Sequence, residues 1–142
     1  MVAYVKHQIF VEDIGIAVHN LAVAGDDIHV YLSNVTPSVS LDNVKADLLE
    51  ITPGNGYAAN GEDVTNTYSH TTGTATLGAT DVSWTASGGA INQFRYVVGM
   101  NLTTAIKADP LICHWDNGSA IDLASGESFT VDFQGDAIFT LT

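Results

Sequence analysis

The residue types that chemistry needs occur in small groups along this chain. Asp26 and Asp27 precede His29, and alternation along an extended segment puts Asp27 and His29 on one face. Calcium needs several oxygens from one concave loop, and a transition metal needs a third or fourth ligand. Neither is supplied nearby, so the expected reading is a solvated strand start. His114, Asp116 and Ser119 carry the atoms of a Ser-His-Asp hydrolase. Triad members are assembled by the fold rather than by closeness in sequence, and no Gly-x-Ser-x-Gly elbow is present. His114 and Asp116 are therefore expected on the outer face of a strand end and its turn. Glu50, Glu62 and Asp63 are the acids that could serve a glycosidase. Nothing in their spacing fixes the ~5–9.5 Å separation which that mechanism demands, and they are expected to keep loops solvated. Cys113 alternates with Ile112 in an apolar run without a flanking Lys or Arg, which reads as a small buried hydrophobe. The expectation is thus a chain with no catalytic, metal-binding or cofactor-binding residues, and not an enzyme.

Binding without catalysis has its own candidates. Tyr57, Tyr68, Trp84 and Trp115 are the aromatics that could stack on a sugar ring, provided at least two are exposed and coplanar. Arg95 is the sole arginine and stands between Phe94 and Tyr96 in the most apolar stretch of the chain. Leaving it buried alone is costly, so it must pair with a carboxylate or face an interface.

The composition restricts the partners. The chain has 142 residues, enough for one domain spanning 1–142. Charged residues are only 14%, and their split of 16 acidic to 4 basic gives a formal charge of -12. Four cations cannot neutralise a row of phosphates, so nucleic acid is not an expected partner, and an anionic membrane is disfavoured for the same reason. The N-terminal residues lack the pattern of a signal peptide, and the single cysteine fits synthesis in a reducing cytoplasm.

These residues must be positioned by short elements. Ile9, Phe10, Asp13, Ile14, Ala17, Val18 and Leu21 follow an i, i+3/i+4 spacing, which predicts an amphipathic helix over residues 7–19 despite Gly15. A second helical turn is expected near residues 42–50. Ile28–Leu32 alternates as a strand. Further strands are expected at Val64–Tyr68, Thr74–Leu77, Asp81–Ala86, Phe94–Met100, Leu111–Trp115, Ser128–Phe133 and Ala137–Leu141. The turn Gln134-Gly135-Asp136 makes the last two a predicted hairpin. Such short strands suggest a mainly β fold, a β-sandwich of jelly-roll-like type with a short N-terminal helix.

Several segments carry a resemblance when taken in order. They are Phe10–Asp13, Val18–Leu21, Asp27–Asn34 with Pro37, Ile51–Tyr57 with Gly61, Val82–Ile91, Phe94–Tyr96, Asp109–Ile112 and the closing Gly126–Phe133. Together they resemble a family of small structural proteins of tailed bacteriophages, of the head decoration (cement) type. The resemblance implies a β-sandwich module without catalytic residues, made in the host cytoplasm and placed on the outer surface of the virion capsid. It implies the major capsid protein and further copies of the chain itself, as a dimer or trimer, as partners. A carbohydrate- or receptor-binding module of a phage tail or head fibre is the alternative expectation.

Overall fold

The computed structural model describes residues 4–102, 105–133, 135 and 137–142. Its elements run β1 (Val5–Lys6), α1 (Gln8–Gly15), β2 (Ile28–Ser33), a 3-10 turn (Lys45–Asp47), β3 (Glu62–Asp63), β4 (Thr67–Thr71), β5 (Thr74–Gly78) and β6 (Val82–Thr85). β7 (Ile91–Asn101), β8 (Leu111–Leu123), β9 (Ser128–Val131) and β10 (Ala137–Leu141) complete them. The fold is mainly β, and the described strand pairs are antiparallel. The largest sheet has the order β1-β8-β7-β2-β3, and smaller sheets have the orders β10-β5-β4 and β6-β9.

One apolar core joins the three sheets. Ile28, Val30 and Leu32 of β2 and Val97 of β7 meet Leu77, Val82, Trp84, Val131 and Ile138 from the small sheets. Phe129 lies nearly parallel to the Trp84 ring at 6.3 Å and edge-on to Phe94 at 5.0 Å. Alternation predicts a half-exposed β2, yet its second face is covered too. Tyr31 is buried there with Tyr96, Val98, Met100, Leu111 and Leu48. Leu48 belongs to a strap that includes the 3-10 turn and is tied down by hydrogen bonds. The Tyr31 hydroxyl donates to the Leu48 carbonyl (2.9 Å), the Ser33 hydroxyl to the Leu49 carbonyl (2.7 Å), and the Ile51 amide to the Leu32 carbonyl (3.0 Å). A single 3-10 turn is therefore what forms in the 42–50 region. Asp47 caps its start by accepting from the Asn43 and Val44 amides.

The structure corrects three sequence expectations. First, the helix predicted over 7–19 stops at Gly15. The Val18 amide bonds back to the Asp13 carbonyl and the Ala17 amide to that of Ile14, with Ala17 at φ 60°. This is a Schellman closure with alanine in the left-handed position glycine usually fills. Second, of the predicted Val64–Tyr68 strand only Thr67 and Tyr68 are extended, as the start of β4, because Thr65 turns the chain at φ 47° and Asp63 accepts from the Thr65 amide. Third, β9 and β10 are not a hairpin. β9 pairs with β6 and β10 with β5, so the chain changes sheets where a tight turn is predicted. The Asp81 carboxylate, which precedes β6, accepts from the Phe133 amide, and Phe133 packs edge-on to Trp115. Gln134 and Asp136 of the predicted turn lie outside the described residues.

Candidate functional site

Arg95 resolves into an ion pair. Its Nε and a terminal nitrogen donate to the two Asp116 oxygens at 2.8 Å each, and its guanidinium stands 5.4 Å from the centre of the Tyr96 ring. The pair exists because β8 bulges. Tyr96 faces Asp116 and Phe94 faces Ile121, so residues 117–120 are extruded from the ladder. Asp116 also accepts from the Gly118 amide at 2.7 Å. The hydrogen bonds from Arg95, then from Gly118, pull its carboxyl down to about 2. Sequence spacing could not reveal this, since the bulge determines which acid faces the arginine.

His114 does not lie on an outer face with Asp116 and Ser119. It is buried, and its Nδ1 lies 3.2 Å from Nε2 of His7. His7 Nδ1 lies 2.9 Å from the Asp42 carbonyl. A carbonyl only accepts, so His7 carries its proton on Nδ1 and accepts from His114 through Nε2. Burial, then the neighbouring His7, pushes the His114 imidazole down to about 4, and burial lowers His7 as well. Ser119 is exposed in the bulge, and its carbonyl accepts from the Asn117 side chain. The three residues thus go to separate structural tasks.

A second polar cluster lies against α1. Asp13 is fully buried and takes two hydrogen bonds from Lys107, at 3.0 and 2.9 Å. The His19 ring lies beside it, with Nε2 at 3.9 Å from an Asp13 oxygen. The Asn101 amide nitrogen donates to His19 Nδ1 (3.0 Å) and to Asp26 (2.6 Å). Asp26 therefore serves this cluster, while His29 Nδ1 bonds the Asn60 carbonyl at 3.2 Å. Asp13, His19 and Lys107 are absent from the sequence-derived sites. The available signal was an aspartate on the apolar face of the predicted helix, which had to be paired if buried.

The supposed glycosidase acids are dispersed. Glu50 holds Lys45 at 2.7 Å and accepts from the Tyr57 hydroxyl at 2.8 Å. It is a structural anchor of the strap rather than a loop-solvating charge, and Lys45 also reaches the Asn60 side chain. Glu62 and Asp63 form β3, opposite Val30 and His29. Cys113 is buried against Gly99, and burial pushes its thiol well above the ordinary range. Among the described residues, no group of three or more His, Cys, Asp or Glu is placed to hold a metal ion.

The aromatics do not form a stacking platform. Tyr57, Trp84 and Trp115 are buried, and only Tyr68 is exposed among the four. Tyr57 and Trp84 pack together at 6.0 Å, and the Tyr57 oxygen accepts from the Leu32 amide. The exposed apolar side chains lie elsewhere. Val11, Ile14, Ile16 and Val23 are exposed in and after α1, and Val35, Leu41 and Leu49 project at and before the strap, Leu49 being 72% exposed. Val35 and Leu49 share a hollow of about 210 Å³ with Asn34, Ile51 and Asn92. No helix among the described residues is long and apolar enough to cross a membrane. No family model, curated protein or solved structure matches this chain.

Proposed function

We propose that the chain is a non-enzymatic virion structural protein: a capsid decoration (cement) protein that binds the outer surface of the major capsid protein lattice and stabilises the head. The observation that carries this reading is the apolar exposure at the strap and in the uncharged stretch that precedes it, on a chain of charge -12. No Asp, Glu, Lys or Arg lies between Asp27 and Asp42, and Val35, Leu41 and Leu49 face solvent. Such side chains lose little on desolvation when a partner covers them. The underlying segment is fixed to β2 by the Tyr31, Ser33 and Ile51 hydrogen bonds, so docking orders little additional backbone. The ordered segments that resemble phage head proteins support the same reading. Acidity favours the outer face of a capsid, because the inner face meets packaged DNA. Repeated copies on a symmetric lattice also make contacts between copies of this chain part of the reading.

The test is a titration of purified expanded heads with the protein at moderate salt. Saturable binding is expected, weakened at least about tenfold by Leu49→Asp, which places a charge in the proposed contact. Absence of saturable binding overturns the reading.

A further inference from the structure

We propose that the outer edge of β4 pairs, antiparallel and in register about Ser69, with β4 of a second copy of this chain. This specifies the contact between copies named above and needs no capsid, so its failure in free solution leaves the capsid titration unaffected.

β4 ends its sheet, and all five residues from Thr67 to Thr71 are exposed. An edge strand is a template for pairing, and monomeric proteins blunt such edges with charge, proline, bulges or short length. The remaining edges show these devices. β1 has two residues, one of them Lys6, and β3 consists of Glu62 and Asp63. β10 is irregular between Ala137 and Phe139. β6 and β9 have four residues each and are flanked by Asp81 and Asp132. β4 has regular pairing with β5, and no charged residue or proline occurs between Asp63 and Asp81.

The hairpin geometry determines which backbone groups face outward. Thr71 faces Thr74 across the two-residue turn Thr72-Gly73, whose φ angles of 48° and 83° define type I′. The closing pair of such a hairpin is hydrogen-bonded, so Thr67, Ser69 and Thr71 point their backbone groups at β5. Those of Tyr68 and His70 point away from it. Among the described residues, no backbone hydrogen bond from outside the β4–β5 ladder reaches them.

Charge argues for a second copy as the occupant. A chain of charge -12 repels its own copy wherever acids face each other. Two β4 strands centred on Ser69 set Tyr68 against His70, Ser69 against Ser69, and Thr67 against Thr71, with no like charges opposed. Tyr68 also lines a groove of about 300 Å³ with Ile14, Leu21 and Leu141, giving the joint apolar surface beside the strand.

Cysteine placement tests the register. In this pairing Ser69 opposes its own copy as a non-hydrogen-bonded pair, with Cα atoms about 4.5 Å apart, inside the disulfide range. Thr67 stands about 13 Å along the strands from its own copy. Ser69→Cys is expected to give disulfide-linked dimers on mild oxidation and Thr67→Cys is not, while buried Cys113 takes no part. Sedimentation of the unmodified chain is expected to show a concentration-dependent dimer. His70→Pro, which removes an outward amide, is expected to weaken that dimer at least about tenfold. Should His70→Pro fail to fold, Ser69→Asp sets two like charges face to face and is expected to do the same. A monomer at all concentrations overturns the proposal. So does equal cross-linking of the two cysteine variants, or an undiminished dimer in a folded edge variant.

Discussion

A buried pair of imidazoles tied to a carbonyl can fail in only one direction with pH. His7 must keep Nε2 free to accept from His114, and a second proton on His7 turns that contact into two opposed donors. The groups facing the pair are the Asp42 and Asp116 carboxylates and the Tyr96 ring, and burial outweighs the attraction of the acids. With His114 at about 4 when folded and 6.5 when unfolded, the unfolded chain binds more protons between those values. The stabilisation is therefore complete above pH 6.5 and is lost as pH falls toward 4, by up to about 1.4 kcal/mol per pH unit for each such histidine. His7 and His19 are lowered too and act in the same sense. Asp116 adds nothing in this window, because its advantage is present above its ordinary value and fades only as pH falls toward about 2. The urea midpoint is expected to fall from pH 6.5 to 4, and less steeply in His114→Gln. A flat or rising midpoint contradicts the geometry of the pair.

At the scale of elements, three backbone positions set local stability. Ala17 closes α1 at φ 60°, and Thr72 occupies a type I′ position at φ 48°, where a β-branched residue is strained. Ala17→Gly and Thr72→Asn are each expected to stabilise by about 0.5–1 kcal/mol in chemical unfolding. Gly61 is the opposite case. A Cβ there would lie 1.9 Å from the Val30 carbonyl oxygen, and φ is 66°. Gly61→Ala is expected to cost about 3 kcal/mol or more, seen as a large drop in midpoint. Elements of this kind were legible in the sequence to differing degrees. β2, β6 and β7 declared themselves through alternation or apolar runs, since a strand buried on at least one face must show its period. The partners of β9 and β10 were not legible, because local turn residues state that the chain turns and not which sheet it joins. The candidate sites were less legible still. Arg95 announced its need for an acid, but Asp116 was supplied by the β8 bulge, and His7 met His114 only through the pairing of β1 with β8.

For the whole molecule, the scarcity of cations governs behaviour. Lys45, Arg95 and Lys107 are each engaged by an acid, in pairs with Glu50, Asp116 and Asp13. The other acids repel one another across a chain of charge -12. Added salt acts on both terms. It screens the exposed Arg95–Asp116 pair, worth little in water, and leaves the buried Asp13–Lys107 contact nearly intact. It also relaxes the net repulsion, which opposes the compact state and any contact between copies. The repulsive contribution is the larger because it sums over 16 acids set against 4 cations, whereas the screened attraction acts within single pairs. Raising sodium chloride from about 0.02 to 0.5 M is therefore expected to raise Tm by a few degrees and to strengthen the β4-mediated dimer. Sedimentation and thermal unfolding over the same salt series test both effects. A Tm that falls with salt assigns the net electrostatic balance to the ion pairs instead. A dimer that weakens with salt removes charge repulsion as the reason its contact lies on the acid-free β4–β5 hairpin.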